Sequence, residues 1–563
     1  MKLRSLMKLI AAIAMVLFFA SCKKTNQQGR LIPADAGMVM HINGQSISSK
    51  LPWDEIKGNA LFQKLYADST VPAFVKKILD NPENSGINVE EDLMMFVKQD
   101  SLGTLIGLEG TVKDAEKFKL FNLDLVTGGN ESDKGDVHYI SNSPKICVGW
   151  NKGKFVYLVN SPGMGRSRFG GNYGGMSELK SRDMMLACKD VFDLKEDNSL
   201  GSNEKFTALM KKEGDVHFWI NSEALMKGAG GGMAMLNMLK MDKLYEGSVT
   251  VGTLNFESGK MTVDFKSYSG KTVADLLKKY SGSNVSEDML KRIPAKDVGA
   301  VIALNFKPEG IKELLKLFGV DGLANIALAQ AGFTLDDFVK ANKGDVLISI
   351  GDFKTRVDSA VTFGGDGTVT KTTPEYLFSA SIGDKESFNK LIEAGKKLAG
   401  TQAASLSELT FSSNANYFAL GNSKEKVDKY LAGTNNNFGF ISKLTGSPVG
   451  MYVNMQYILK SFQAENAKDS SAKVVMDESL KMWDNIYMTG GKFSDGGISY
   501  TVEIDLVDKS TNSLKQLNSY IAKLSTLAIE RQKKYDVSDV QMQEIMTDTT
   551  SVPPPPPPVK ANK

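Results

Sequence analysis

The sequence predicts an α+β protein made of two tandem copies of one unit, each an antiparallel or mixed sheet with helices packed on one face. Three observations predict it. Segments of the first half recur in the same order in the second, the signature of an internal repeat. Short apolar or alternating runs bounded by turn residues read as strands. Helical stretches alternate with them, yet hairpin turns separate strands as often as crossovers do, which argues against a doubly wound parallel sheet.

The repeat can be followed element by element. Arg30 to Asn43 reads RLIPADAGMVMHIN, and Arg292 to Asn305 reads RIPAKDVGAVIALN. Both carry Ile-Pro-Ala, an acidic turn, a glycine, a short apolar strand and a final Asn. Gly86 to Phe96 (GINVEEDLMMF) parallels Gly332 to Phe338 (GFTLDDF). Thr104 to Phe118 parallels Tyr376 to Phe388, and in each a strand leads into a helix capped by Asp114 or Asp384, with an acid near the helix start. Gly214 to Asn221 (GDVHFWIN) parallels Ser447 to Asn454 (SPVGMYVN). Ser248 to Lys266 and Asn485 to Asp505 each read as a hairpin, turning at Glu257-Ser258-Gly259 and Ser494-Asp495-Gly496-Gly497. A helix closes each unit, Thr272 to Tyr280 and Asn512 to Ile529. The expected boundaries are 30–281 and 291–527, with a polar, proline-rich tail over 536–563.

One sub-motif occurs twice per unit: an apolar strand ending in Asn, with a helix starting at once. The residues are Asn43, Asn221, Asn305 and Asn454, all expected to be helix caps.

The first 22 residues point to a compartment. Lys2, Arg4 and Lys8 precede the apolar run Leu9 to Phe19 and then Ala20-Ser21-Cys22, the order of a secretory leader. A cysteine directly after two small residues is the pattern of a lipidation site, so Cys22 is the expected acceptor and 1–22 the leader. Phe19 stands where leucine is usual. Each acyl methylene buried in a bilayer contributes about 0.8 kcal/mol, so a lipidated Cys22 would hold the protein on a membrane. Residues 23–29 read as a tether. At the other end, Pro553 to Pro558 favours an extended polyproline rod.

The chain has 68 basic and 65 acidic residues, and losing Lys2, Arg4 and Lys8 with the leader leaves 65 of each. A neutral body offers no global attraction to nucleic acid, so none is expected as a partner. The 42% hydrophobic content fits a globular body of two cores. Cys147 and Cys188 remain after lipidation, either paired or buried and free.

The Ala-Ser-Cys ending at Cys22, and the Ile32-Pro33-Ala34-Asp35 entry before a short strand and Asn43, resemble a Bacteroidota lipoprotein family catalogued as domain of unknown function 4836. The resemblance covers most of the mature chain and its motifs are structural. It implies an envelope location and transfers no active site. Surface-bound lipoproteins of that group tend to carry acids after the cysteine. Lys23 to Gln28 holds none, which favours the periplasmic face of the outer membrane, with the cell surface as the alternative.

Motifs for chemistry are sparse. Gly165 to Gly170 is one residue too long for a nucleophile elbow. Ser-x-x-Lys at Ser177, Ser202 and Ser470 has no Lys-Thr-Gly companion, and there is no phosphate loop. His41, His138 and His217 have no partner at helical spacing. His138 and His217 each follow Gly-Asp-Val and could meet in space. Asn81 to Gly86 with Asp92 only faintly resembles a calcium loop. No catalytic residue, metal or cofactor is therefore expected.

Two glycine-rich stretches present only in the first unit are the candidate contact sites. One carries Arg166, Arg168, Phe169 and Tyr173; the other carries Met233, Met235 and Met238, with His217 nearby in the unit where the second has Gly450. Paired arginines suit an anionic group, and mobile apolar side chains suit an acyl or peptide segment. The expected function is a non-enzymatic envelope lipoprotein acting as a binding or assembly module, contacting an envelope protein or amphiphile. The alternative is a periplasmic hydrolase whose site is not local in sequence.

Overall fold

Antiparallel pairing, strand by strand, links every strand of the computed structural model into one sheet. The structure describes residues 28–67, 73–161, 182–228, 242–362, 365–399, 409–467 and 469–528. The first-half strands are β1 (Met38–Ile42), β2 (Leu93–Asp100), β3 (Gly103–Thr111), β4 (Asn130–Lys134), β5 (Val137–Asn142), β6 (Ile146–Trp150), β7 (Lys154–Ser161), β8 (Val216–Asn221), β9 (Val249–Glu257) and β10 (Lys260–Tyr268). The second half supplies β11 (Val298–Asn305), β12 (Asn342–Thr362), β13 (Gly365–Ile382), β14 (Thr410–Ser413), β15 (Tyr417–Gly421), β16 (Val449–Asn454), β17 (Trp483–Ser494) and β18 (Gly497–Leu506).

The spatial order in the first half is β4-β5-β6-β7-β3-β2-β1-β8-β9-β10. In the second it is β14-β15-β13-β12-β11-β16-β17-β18. Both halves therefore use one pattern, with the first strand central between the second strand and the late strand that ends in Asn. The two meet where β10 pairs with β18, from Lys260 opposite Asp505 to Tyr268 opposite Gly497. Phe265 stacks on Tyr500 across that seam with ring centroids 5.2 Å apart. The helix over 513–528 lies on the seam, its Leu514, Leu517 and Tyr520 packed on Phe256, Met261, Met482 and Leu506. Ile521, from the same apolar stripe, stays exposed.

Helices cover both faces of the sheet, which corrects the expectation of one. In the first half, the helix Met184–Phe192 lies over Gly149, where Phe192 and Cys188 would meet any added Cβ. The helix Ala115–Leu125 lies on the opposite face, its buried Phe118 ring 5.1 Å from that of Phe155. The physical reason is in the strands. Cys147, Val148 and Trp150 on β6, and Phe155, Val156 and Leu158 on β7, are buried on alternating faces, so each face needs a cover. Full burial of a side chain like Phe118 stabilises by roughly 1.5–3 kcal/mol. The second half repeats the arrangement, with Val427 and Tyr430 of the helix Lys424–Ala432 over one face and Phe388 of the helix Lys385–Ala399 over the other.

Three of the four strand-ending asparagines accept a hydrogen bond at a helix start. Asn43 Oδ1 accepts from Ser46 N, Asn221 Oδ1 from Ala224 N, and Asn454 Oδ1 from Tyr457 N. Asn305 is the correction. Its helix starts later, at Pro308, after Phe306 and Lys307, so no helical N–H is in reach. Asn305 Oδ1 instead accepts from Ser283 N, and its Nδ2 donates to Asp345 Oδ1 at 2.7 Å.

Candidate functional site

Strand register assembles a row of side chains that the sequence scatters. Thr253 on β9 faces His217 on β8, which faces His41 on β1, then Met94 on β2, Glu109 on β3 and Val156 on β7. Every member is buried. Residues two apart share a strand face, so Asp92 and Lys154 join the same face as diagonal neighbours of His41 and Glu109.

The imidazoles form a chain with one reading of its protons. His217 Nε2 lies 2.9 Å from the Lys212 carbonyl, which can only accept, so Nε2 carries a hydrogen. His41 Nδ1 and His217 Nδ1 are 2.9 Å apart, and one must donate. With its proton on Nε2, neutral His217 offers a bare Nδ1, and His41 Nδ1–H donates to it. His41 Nε2 lies 3.1 Å from Asp92 Oδ2, which also accepts from Gln28 Nε2 at 2.6 Å. Burial alone would raise the Asp92 carboxyl, but the hydrogen bonds from His41 and Gln28 outweigh it and hold it below its usual value, so it is a carboxylate. His217 is then the neutral ring of the pair, its bare Nδ1 facing the Nδ1–H of His41. Burial, with the neighbouring His41 adding to it, holds His217 below its ordinary value. A second proton would set two N–H groups face to face at the Nδ1 contact.

Farther along the row, burial pushes Glu109 above the ordinary carboxylate range, with Lys154 Nζ, 3.5 Å from Oε1, pulling the other way. Its Oε2 has no hydrogen-bond partner among the described residues. A cleft of about 510 Å³ opens here, lined by Glu109, Lys154 and Val137 from the sheet, Asn151 from the β6–β7 turn and Asp136 from the β4–β5 turn, Phe192, Glu196 and Ser202, and by Arg30 and Leu31. The segment carrying Arg30 is tied down by its backbone. Gly201 N and Ser199 Oγ both donate to Gly29 O, Leu200 N to Ile32 O, and Ala34 N to Asn198 O. Gly29 takes φ +75°, and a Cβ there would sit 2.6 Å from the Phe206 ring, so glycine is required on both counts.

Asp215 is a fastener beside the row. Its buried carboxylate accepts from Ser46 Oγ at 2.5 Å, from Lys50 Nζ at 2.6 Å and from Phe256 N at 2.6 Å, tying the helix Gly44–Lys50 to β9.

Of the expected contact residues, His217 is in the row, with His41 as its partner. His138 is apart from it, exposed and 2.7 Å from Asp133 Oδ1. Cys22, Arg166, Arg168, Phe169, Tyr173, Met233, Met235 and Met238 lie outside the described residues. The segment with the arginines follows Ser161, the last residue of β7, and the next described residue, Arg182, forks its guanidinium onto Asp100 with Nη1 at 2.9 Å and Nη2 at 2.6 Å. Cys147 and Cys188 are free, buried thiols, and Cys147 together with burial pushes the Cys188 thiol up. Among the described residues no helix is long and apolar enough to cross a membrane, and no group of three His, Cys, Asp or Glu is placed to hold a metal ion.

His41, Asp92 and Glu109 escaped sequence reasoning, though signals existed. His41 precedes Asn43 by two residues and His217 precedes Asn221 by four. Even offsets put both on one face of strands with matching ends. Glu109 is a lone charge in the apolar run TLIGLEG, which is unusual for a strand buried on both sides.

Fold and site together define an α+β protein with one long antiparallel sheet and a buried acid–imidazole row in its first half. The chain belongs to the family described as Domain of unknown function (DUF4836), whose model matches residues 29–417. No curated protein matches the chain. Among solved structures it is similar to crystal form III of TP0453, at 11% identity over 45% of this chain and 85% of that one, with a TM-score of 0.25. It is likewise similar to crystal form I of TP0453, at 12% identity over 45% and 84%, with a TM-score of 0.24. Likeness at that level carries no argument.

Proposed function

We propose that this is a lipid-anchored protein of a bacterial envelope, built from two copies of one unit, whose first copy has become a binding or assembly module. The observation that carries this is the row. Glu109, His41 and His217 of the first half stand at the register positions of Ser379, Ala303 and Gly450 in the second. Burying polar, ionisable side chains is costly unless each is fully hydrogen-bonded, so the row is not explained by scaffold needs that the second half meets with small side chains. The common strand order and the recurring sequence segments support the two-copy reading.

The order of the leader, ending at Cys22, supports the anchor. Arg30 lies eight residues beyond Cys22, so an extended tether keeps the cleft within roughly 28 Å of a membrane. The periplasmic face of the outer membrane is our reading, since no acid follows the cysteine. The hydrolase reading is weaker. Both Nδ1 atoms of the row face each other and His217 Nε2 faces the Lys212 carbonyl, so the row's His217 has no free nitrogen to activate a nucleophile.

The test is capture from cross-linked envelopes, with mass spectrometry of bound protein and lipid. Cys22→Ser is expected to release the protein from membranes and abolish fatty-acid labelling. A folded triple variant, Glu109→Ser, His41→Ala and His217→Gly, is expected to stay lipidated but lose what the wild type captures. Retention of every partner would overturn the binding role of the row, and label remaining on the Cys22→Ser variant would overturn the anchor.

A further inference from the structure

We infer that the cleft beneath the Arg30 segment binds a small zwitterion, a short peptide with both termini free. The inference rests on the reading of the first half as the binding half and names its ligand class. The first ground is the charge on the walls. Arg30, Asp136 and Glu196 line the cleft, and none makes an ion pair within 4 Å among the described residues. Opposite charges that line one cleft without pairing leave separate places for a ligand carboxylate and a ligand ammonium.

The second ground is a pair of buried polar atoms left over. Arg30 Nη1 and Glu109 Oε2 are both buried without a hydrogen-bond partner among the described residues, and Glu109 is only 2% exposed. One is a donor that suits a carboxylate. The other is a carboxyl oxygen that suits an ammonium or amide N–H. Leaving such atoms unmatched is costly, so a ligand supplying both partners gains from both.

The third ground is the second half. Gap-free alignment on Asn43 and Asn305 sets Arg30 against Arg292. Arg292 is fully engaged: Nε donates to Asp288 Oδ2 at 2.7 Å, Nη1 to Tyr430 O at 3.5 Å, and the guanidinium lies over the Tyr417 ring at 4.8 Å. The same arginine is thus a structural clasp in one half and uncommitted in the other. Leu31, Val137 and Phe192 supply apolar wall, and about 510 Å³ suits a few residues of peptide rather than a folded partner.

The experiment uses the full mature chain made soluble by Cys22→Ser, with calorimetric titration of trialanine. Wild type is expected to bind saturably. Arg30→Gln and Glu109→Gln are each expected to weaken binding about ten- to a hundredfold, the loss of one charge-assisted contact, and N-acetyl-trialanine amide, which lacks both charged termini, is expected to weaken it further. Asp136→Asn, on an exposed turn, serves as a second variant with little folding risk and is expected to weaken trialanine more than its capped form. Circular dichroism checks that each variant folds. No saturable binding by folded wild type, or equal binding of free and capped peptide, would overturn the inference. Either result with partner capture still dependent on the row would remove the zwitterion site and leave the wider binding role standing.

Discussion

The two halves put the same strand positions to opposite uses. In the first half the row across the central strands is Thr253, His217, His41, Met94, Glu109 and Val156. In the second it is Thr489, Gly450, Ala303, Leu347, Ser379 and Ala419. The six strands that carry the row follow the same order in both halves, so their backbone pairing does not depend on what fills it. Asp92 and Asp345 occupy one register position in both. One faces the His41 imidazole, the other accepts from Asn305 Nδ2 and Ser381 Oγ. The difference teaches that the scaffold needs an acceptor at that position but does not need the histidines or Glu109.

The largest effect should come from a place where the halves share a backbone bond but not a side chain. Asn43 N donates to Asp215 O at 2.9 Å, and Asn305 N donates to Pro448 O at 2.7 Å. Only the first half adds a carboxylate. Asp215→Ala strips Lys50, Ser46 and Phe256 N of a shared buried acceptor. Because Lys50 is partly exposed, the expected loss is near the low end for a broken buried pair, about 3 kcal/mol, read by urea unfolding. A loss below about 1 kcal/mol would mean that the backbone bond alone holds the helix, as in the second half.

Much of this frame was legible in the sequence. The paired motifs located β1, β3, β8, β11, β13, β16, both hairpins and the closing helices, because short-range pattern fixes local structure. Strands β4 to β7, β12, β14 and β15 lie outside them. The paired stretches after Gly86 and Gly332 diverge into β2 in one half and the helix Leu335–Ala341 in the other. The faces were harder to read. Runs such as ICVGW carry no alternation, so nothing local said that both sides would be covered. The His41–His217 contact depends on β1 pairing with β8, which are far apart in the chain. Asn305 failed as a cap because Phe306 and Lys307 separate it from Pro308, a spacing that Lys307-Pro308 hinted at, since proline favours the first helical turn.

The next test makes the histidine row resemble the second half. The folded value of His217 is depressed below 6.5, so between the two values the unfolded chain holds more protons. Stability therefore falls as pH drops through about 6.5, by at most about 1.4 kcal/mol per pH unit for the one proton. Asp92 is depressed too, but its contribution is lost only below the ordinary 3.8, outside this window. Thermal unfolding from about pH 7.5 to 5.5 should show the decline in wild type. The double variant His41→Ala and His217→Gly should flatten it, whatever its overall stability. An unchanged slope would place the titrating group elsewhere.

The smallest effect separates two asparagines of the second half that look alike in sequence. Asn454 Oδ1 accepts from Tyr457 N at a helix start, and a carboxylate there caps equally well and complements the helix N-terminus. Asn454→Asp should thus change stability by no more than about 0.5 kcal/mol. Asn305 instead donates its Nδ2 to Asp345, so Asn305→Asp replaces a donor by a second carboxylate at hydrogen-bond distance. Loss of a bond to a charged acceptor plus repulsion should cost about 1–2 kcal/mol, moderated by partial exposure. High salt should narrow the gap between the two variants, because it screens the repulsion but leaves the cap unchanged. Equal effects in denaturant titrations would mean that Asn305 acts as a cap after all, and that the halves differ less at this junction than their contacts indicate.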